Sequence, residues 1–375
     1  METPTRSPNN QTEANNTAIL GGAMAWNQST DTFVWIFNVG RGSAAFIRTP
    51  LNHGIIVDIS CSSEFSPSDF ILDNLHKALD PYEEHKIAQA ILTHPHHDHI
   101  SDCGPLIGNE KLKPKLITCP NDKDPADAVK WDRIKNRDGN KSLVKYKKLY
   151  ESRSLPLQTI KHTSKFTTAL DLEYGIYYVR PVTCNELHKD DNEYGNSLSI
   201  VTYFRYGSNS LLLPGDITPL AMQKVLTESL GAEKRFTVFS KSAQASHPRW
   251  ATETFDQPSL KKRLETYGLS VLVASHHGLK SCYSPELYAA IRGGKPDLVA
   301  ISEMYGVGED QGKIDSRYQS ANGSFGLAVK IGGTDEFRNS VTTKSNHILV
   351  RFSGNGKPRI YCEARIGDLM RWANA

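Results

Sequence analysis

Five side chains of metal-ligand type fall within six residues in Thr93-His94-Pro95-His96-His97-Asp98-His99, four of them, His94, His96, Asp98 and His99, at ligand spacing, and this is the strongest chemical signal in the chain. The run from Ile87 to Leu92 is apolar, which predicts a buried strand from whose end His94 and His96 project on the same side with period-two spacing. One metal ion can be held there. Asp98 and His99 follow where a helix N-terminus is expected, and they offer a hard oxygen and a further imidazole to a second ion. Such a mixture of imidazole and carboxylate suits Zn²⁺ and also Mn²⁺.

Two later passages end apolar runs in residues of the same chemistry. Leu211-Leu-Leu-Pro-Gly-Asp216 delivers a carboxylate at the C-terminal edge of an expected strand, the position from which α/β folds present site residues. Ser270-Val-Leu-Val-Ala-Ser-His276-His277-Gly278 repeats the design with imidazoles, and Gly278 lets the backbone pass close to the site. On the residues alone, either histidine of that pair could be the ligand.

The pattern His-x-His-x-Asp-His after a hydrophobic strand resembles the metal-binding signature of the metallo-β-lactamase fold superfamily. The resemblance implies an α/β protein built as an αββα metallo-β-lactamase-like sandwich, with His94, His96, Asp98, His99, Asp216 and His277 as ligands and Asp216 bridging two metals. By likeness to members that read x-His-Gly at this point it makes His277 the ligand, and it turns His276 toward the substrate to stabilise charge on the reacting group. Many members carry another histidine between the first motif and the bridging aspartate. Here His188, in Cys184-Asn-Glu-Leu-His-Lys, is a weak candidate beside its reading as a surface histidine, and His162 is a second candidate.

A narrower resemblance, to the ComEC-type hydrolase branch with its DNA-uptake and phosphorylcholine-esterase relatives, rests on four passages. Asn38-Val-Gly-Arg-Gly-Ser43 after Thr32-Phe-Val-Trp-Ile-Phe is similar to that branch's Asp-Val-Gly-Gln-Gly-Asp, with Asn38 and Ser43 replacing acidic residues. Asn196-Ser-Leu-Ser-Ile-Val resembles its Asn-Ser-Leu-Val strand, and Leu-Leu-Pro-Gly-Asp216 and Ser-His-His-Gly278 resemble the rest. The chemistry implied is metal-dependent phosphodiester hydrolysis: two divalent ions lower the pKa of a shared water toward neutrality, and Asp98 helps orient the resulting hydroxide toward phosphorus. A nuclease acting on DNA is the leading expectation. A phosphodiesterase for a small or lipid-linked substrate and a catalytically silent metal-binding interaction protein are the alternatives.

The elements that must position these residues are expected to form one elaborated domain over residues 31–375, preceded by a polar tail, residues 1–30, without fixed structure. Strands are expected up to residue 58, then a helix from Pro67 to Leu79, the first ligand strand, and a β-rich block from Thr159 to Leu213. Within that block, Ser197 to Phe204 and Leu211 to Pro214 read as a hairpin around Arg205–Ser210; a helix from Leu220 to Leu230 and strands Leu298–Ser302, His347–Phe352 and Arg359–Glu363 follow. No run reaches the roughly eighteen apolar residues of a membrane span, and the N-terminus has no signal-peptide core, so a cytoplasmic location is expected. Six scattered cysteines imply reduced thiols and no part in the metal site.

Charge is unevenly placed. Residues 109–165 carry fifteen Lys and Arg against seven Asp and Glu, a balance of +8 in a chain whose total is +3. This basic insertion, with helical character over Asp127–Arg137 and Ser142–Tyr150, interleaves Trp131, Tyr146 and Tyr150. It reads either as a solvated face or as a nucleic-acid surface in which Lys145, Lys147 and Lys148 contact phosphates and the aromatics stack on bases.

Overall fold

The computed structural model describes residues 30–79, 86–154, 163–164, 172–227, 235–241, 248–254, 258–303 and 313–374. In chain order its strands are β1 Thr32–Ile36, β2 Ala44–Arg48, β3 Gly54–Ile59, β4 Ile87–Ile91, β5 Leu116–Thr118, β6 Thr163–Ser164, β7 Glu173–Tyr177, β8 Val201–Tyr206 and β9 Asn209–Leu213. They continue as β10 Arg235–Lys241, β11 Pro248–Thr254, β12 Val271–Val273, β13 Leu298–Ile301, β14 Leu327–Ile331, β15 Thr334–Arg338, β16 Ser340–Thr342, β17 His347–Phe352 and β18 Arg359–Glu363. One sheet is ordered β15-β14-β18-β17-β1-β2-β3-β4-β5, the other β11-β10-β6-β7-β8-β9-β12-β13-β16.

Period-two alternation decides which way each strand faces. Val34, Ile36, Ile55 and Val57 from the first sheet share one buried cluster with Phe204, Leu211, Leu213, Leu298 and Ala300 from the second, which is the layer between the sheets. The alternate residues Phe33, Trp35, Ile56, Leu212 and Val299 belong to the cluster that also takes in the helical residues Ala221, Met222, Leu264, Leu287 and Leu369. Strands apolar on both faces are therefore covered on both, and the four layers run helix, sheet, sheet, helix. This is the αββα architecture expected. Gln89 lies fully buried on β4, where its amide oxygen accepts from Tyr174 Oη across the sheets at 2.9 Å and its nitrogen donates to Thr118 at 2.7 Å, so the polar group is satisfied.

Parallel pairing matters most for function. β3 pairs parallel with β4, β9 with β12 and β12 with β13. Their carboxyl ends release Asp58, Thr93-His94, Asp216, His276-His277 and Ser302, so both sheets feed one edge of the sandwich.

Several expected elements differ. Asn196 and Ser197 end a helix, Asp191–Ser197, rather than opening a strand, because Asp190 caps it by accepting from the amides of Asn192 and Glu193 at 2.9 and 3.1 Å. The hairpin turn is shorter than expected: Tyr206 pairs with Asn209, and Gly207 takes the positive φ of 58° that a two-residue connection requires. Over Asp127–Arg137 the structure has only the short turns Pro125–Asp127 and Trp131–Arg133. Tertiary bonds override helical propensity there: Asp127 accepts from Arg180 and Val182, and the Arg133 guanidinium bonds Asp191, Asn185 and the carbonyls of His188, Lys189 and Asp190. Helix Lys141–Arg153 is present, and helix Pro219–Thr227 matches the described part of the Leu220–Leu230 expectation. Residues 1–29 and the start of the Thr159–Leu213 block lie outside the described residues, and the described part of that block includes two helices, Pro181–Leu187 and Asp191–Ser197. No described helix is long and apolar enough to cross a membrane.

Candidate metal centre and its cleft

The first motif leaves β4 as extended backbone to His96 and then enters the one-turn helix His97–Ile100. His94 and His99 are buried, as are Asp216 after β9 and His277 after β12. The nitrogens of His94 and His99 and a carboxylate oxygen of Asp216 lie within 4.8 Å of one another. Asp216 spans the group: Oδ1 lies 3.1 Å from His99 Nε2, while Oδ2 lies 3.8 Å from His94 Nε2 and 3.6 Å from His276 Nε2. His96 Nδ1 is 3.1 Å from His94 Nε2, and Asp98 Oδ2 is 3.8 Å from His277 Nε2. Of the six residues named as ligands from the sequence, His94, His99 and Asp216 close into one group, His96 adjoins it through His94, and His277, whose ring centre is 5.8 Å from that of His99, adjoins it with Asp98 beside it.

A second set of groups aims the first. His99 Nδ1 donates to Asp58 Oδ2 at 2.6 Å, and His277 Nδ1 donates to the Ser302 carbonyl at 2.9 Å, so both rings turn Nε2 into the cluster. Those two Nε2 atoms are buried and face the Asp216 and Asp98 carboxylates at 3.1 and 3.8 Å without a hydrogen bond. Asp58 also accepts from the Thr93 amide at 2.7 Å and from its hydroxyl at 2.9 Å. Ser199 Oγ accepts from the Asp216 amide at 3.0 Å and lies 3.3 Å from His94 Nδ1. Ser43 N–H donates to the Asp98 carbonyl at 2.8 Å, so the loop in which Asn38 and Ser43 replace acidic residues reaches the site through its backbone.

Electrostatics point to cations. Burial opposes charge on Asp216, yet the facing His99 and His276 hold its carboxyl well below the usual range. Burial likewise opposes charge on Asp98, and His277 beside it brings its carboxyl down. Burial, reinforced by His99 and His96, keeps the His94 imidazole well below its ordinary value, and burial also lowers His96. Desolvation would lower His99 too, but Asp216 and Asp58 together outweigh it and raise it well above the ordinary value. The two ionised carboxylates raise His99 and His277, so protons sit between acids and imidazoles where a divalent ion would take their place, while His94 and His96 are held neutral and free to donate. The residues present fit the metals.

His188 is neither ligand nor surface group. It is 4 % exposed, with Nε2 3.0 Å from Thr218 Oγ1 and Nδ1 3.2 Å from Glu193, and it ties the Asp191–Ser197 helix to the loop carrying Asp216. His162 lies outside the described residues. Among the described residues no cysteine belongs to the His/Asp group; Cys282 Sγ lies 3.2 Å from His276 Nδ1, and Asn196 Nδ2 donates to the same nitrogen at 3.5 Å. Both His276 and His277 hold left-handed backbone, φ 48° and 57°, a strain that bends the chain so that consecutive imidazoles reach one site.

Gly195 shows how closely the neighbours are fitted. A Cβ there would overlap the His96 imidazole. Gly195→Ala is therefore expected to push His96 off its position and weaken metal binding by about 10–100-fold, read by titration of the apoprotein with Zn²⁺; unchanged affinity would remove His96 from the ligand set.

Above the cluster opens a cleft of 760 Å³. Five cations line it: Arg41, Lys135, Arg137, Lys280 and Lys313. Asn136 places two of them, because it donates to the Pro95 carbonyl at 3.0 Å and accepts from the His97 amide at 2.9 Å, clamping Lys135 and Arg137 to the first motif. Lys145, Lys147 and Lys148 lie on helix Lys141–Arg153 and do not line this cleft. The aromatics expected to stack on bases are spent internally. Tyr146 and Tyr150 are buried, and Trp131 stacks on Tyr150 at 5.7 Å, with Lys147 Nζ 4.5 Å from the centre of the Trp131 ring.

No family model matches this chain, and no curated protein matches it. Solved structures similar to it include CmlA, a diiron β-hydroxylase from Streptomyces venezuelae, at 12 % identity and TM-score 0.34, over 72 % of this chain and 44 % of CmlA. The chain thus spans less than half of CmlA's length. A Thermotoga maritima protein assigned as a metallo-β-lactamase is 15 % identical, with TM-score 0.28, over 54 % of this chain and 87 % of its own. The Rm3 metallo-β-lactamase is 12 % identical, with TM-score 0.28, over 67 % and 80 %. At such identities the side chains of the site have to carry the functional reading.

Proposed function

We propose that this protein is a metal-dependent phosphodiester hydrolase of the metallo-β-lactamase kind, and that its substrate is a nucleic acid, with DNA favoured. The observation that carries the reading is a buried His/Asp cluster at the floor of a cleft whose walls supply five cations. Two divalent ions, held by His94, His96, Asp98, His99, Asp216 and His277, would supply Lewis acidity and a nucleophilic water at neutral pH. The protein's own part is positioning and charge. His276 lines the cleft, and burial holds its pKa below the ordinary value, so its ring is neutral. With the Asn196 amide donating to Nδ1, Nε2 carries the hydrogen and can be shared with a phosphoryl oxygen as negative charge develops there. Asp98 lines the cleft, with Oδ2 3.8 Å from His277 Nε2, and would help orient the nucleophilic water.

The alternative of a small phosphodiester substrate has one observation in its favour, a cleft volume within the range of small-ligand pockets.

The deciding assay loads purified protein with Mn²⁺ or Zn²⁺ and offers single-stranded DNA, duplex DNA, RNA and a chromogenic phosphodiester. Cleavage of DNA is expected. Cleavage of the chromogenic ester alone would favour the small-substrate reading, and no cleavage of any phosphodiester by loaded protein would leave a silent metal-binding protein. In the same assay His276→Ala is expected to lose about 100-fold or more in turnover with metal content unchanged; turnover near that of the parent would make His276 a structural neighbour only.

A further inference from the structure

Of the five cleft cations, only Lys135 has an acidic partner among the described residues, Asp191 at 3.0 Å. Arg41, Arg137, Lys280 and Lys313 form no ion pair with any described residue. They come from four separate parts of the chain: the loop after β1, the segment after the first motif, the turn after the His276-His277 pair, and the approach to Ser316. Unrelated segments converge, so the arrangement is not the solvated face of one lysine-rich helix. The acidic residues lining the same cleft are Asp98 and Asp216, both directed at the metal cluster. Among the described residues the positive charge of this lining is only partly offset, by Asp191 at Lys135 and by Asp315, whose carboxyl Lys280 helps to draw down without forming an ion pair.

One reacting phosphate at the floor of the cleft cannot also satisfy four cations drawn from four separate segments. The lining includes no Phe, Tyr or Trp among the described residues, so the cleft has no aromatic platform on which bases could stack. Its 760 Å³ lies within the range of small-ligand pockets, which favours a single strand over a duplex at the floor.

We infer that Arg41, Arg137, Lys280 and Lys313 form a phosphate-binding wall that takes a short unpaired stretch of polynucleotide, holding the phosphates on either side of the one cleaved, with little preference for base. The inference rests on the phosphodiesterase reading and moves the nucleic-acid contact from helix Lys141–Arg153 to the cleft rim.

The test measures binding of a fluorescent single-stranded oligodeoxynucleotide to the full chain in chelator, where no cleavage intervenes, across a range of salt. Each phosphate contact in a single strand contributes about 0.7 to the slope of log affinity against log salt. The triple variant Arg137→Glu, Lys280→Glu, Lys313→Glu is expected to lower that slope by about 2 and weaken binding by at least about tenfold. The corresponding Gln variant, which removes charge without reversing it, is expected to show the same loss of slope. Lys145→Glu, Lys147→Glu, Lys148→Glu is expected to leave affinity and slope as they are. An unchanged slope in the cleft variants, or a loss in the helix variant, overturns the proposal, and equal affinity for a blunt duplex overturns the unpaired-strand part. Turnover of a chromogenic phosphodiester by the metal-loaded parent separates the two claims: if it is absent the hydrolase reading fails, while the binding data still decide the wall.

Discussion

Asp216→Ala is expected to lower bound metal from about two equivalents to less than about one, and to reduce phosphodiester cleavage by about 10³-fold or more. The reason is that one carboxylate faces both halves of the cluster, Oδ1 toward His99 and Oδ2 toward His94 and His276. A single charge-stabilising donor is worth about 10²–10³ in rate, and this one carboxylate faces three imidazoles at once. Metal analysis after equilibration with Zn²⁺ and a chromogenic turnover assay read the two effects together. A variant that keeps two equivalents would show that the halves assemble independently of Asp216.

Asp58→Ala is expected to produce the largest loss of stability among the site variants. Asp58 is 1 % exposed and accepts three bonds, from the His99 ring, the Thr93 amide and the Thr93 hydroxyl. Removing it strips His99 of the partner that aims it and leaves buried donors without acceptors. Breaking a buried charged pair typically costs about 3–5 kcal/mol, and loss of an orienting partner lowers metal affinity by about 10–100-fold. Denaturant melts of the apoprotein and Zn²⁺ titration check both. Asp58→Asn, which keeps the bond to Thr93 but accepts less strongly from His99, should recover part of the stability and little of the affinity. If Asp58→Ala melts like the parent, His99 is held by packing alone.

Asp58 also shows where sequence reading stopped short. The strand Gly54–Ile59 reads Gly-Ile-Ile-Val-Asp-Ile, and one acid inside an otherwise apolar strand is a visible anomaly. What the string of letters did not show is that Asp58 takes φ 54° and turns its carboxylate toward His99, forty-one residues on. Gly42 and Gly195 are alike in this respect. Each is an ordinary loop glycine in the sequence, and each lies against a site group, Gly42 with a position for Cβ only 2.9 Å from the Asp98 carbonyl and Gly195 against His96. For strands β14 and β15 the local signal is Gly332-Gly333 between them, both at positive φ, a hairpin connection.

The ligand types and their order were determined by the sequence alone, because His-x-His-x-Asp-His at a strand end, then Gly-Asp, then His-His-Gly are local patterns in which spacing dictates direction. Alternating apolar residues likewise announced two-faced strands and hence a layered α/β fold. The substrate-facing surface was decided only by tertiary structure. Net charge in the basic segment marked Lys145, Lys147 and Lys148 as readily as Lys135 and Arg137, and nothing local distinguishes them. The clamp from Asn136 to Pro95 and His97 brings the latter two to the cleft, and three further cations arrive there from distant loops. Electrostatic attraction falls with distance in space, not along the chain, so a charged wall assembled from separate segments becomes visible only once the chain has folded.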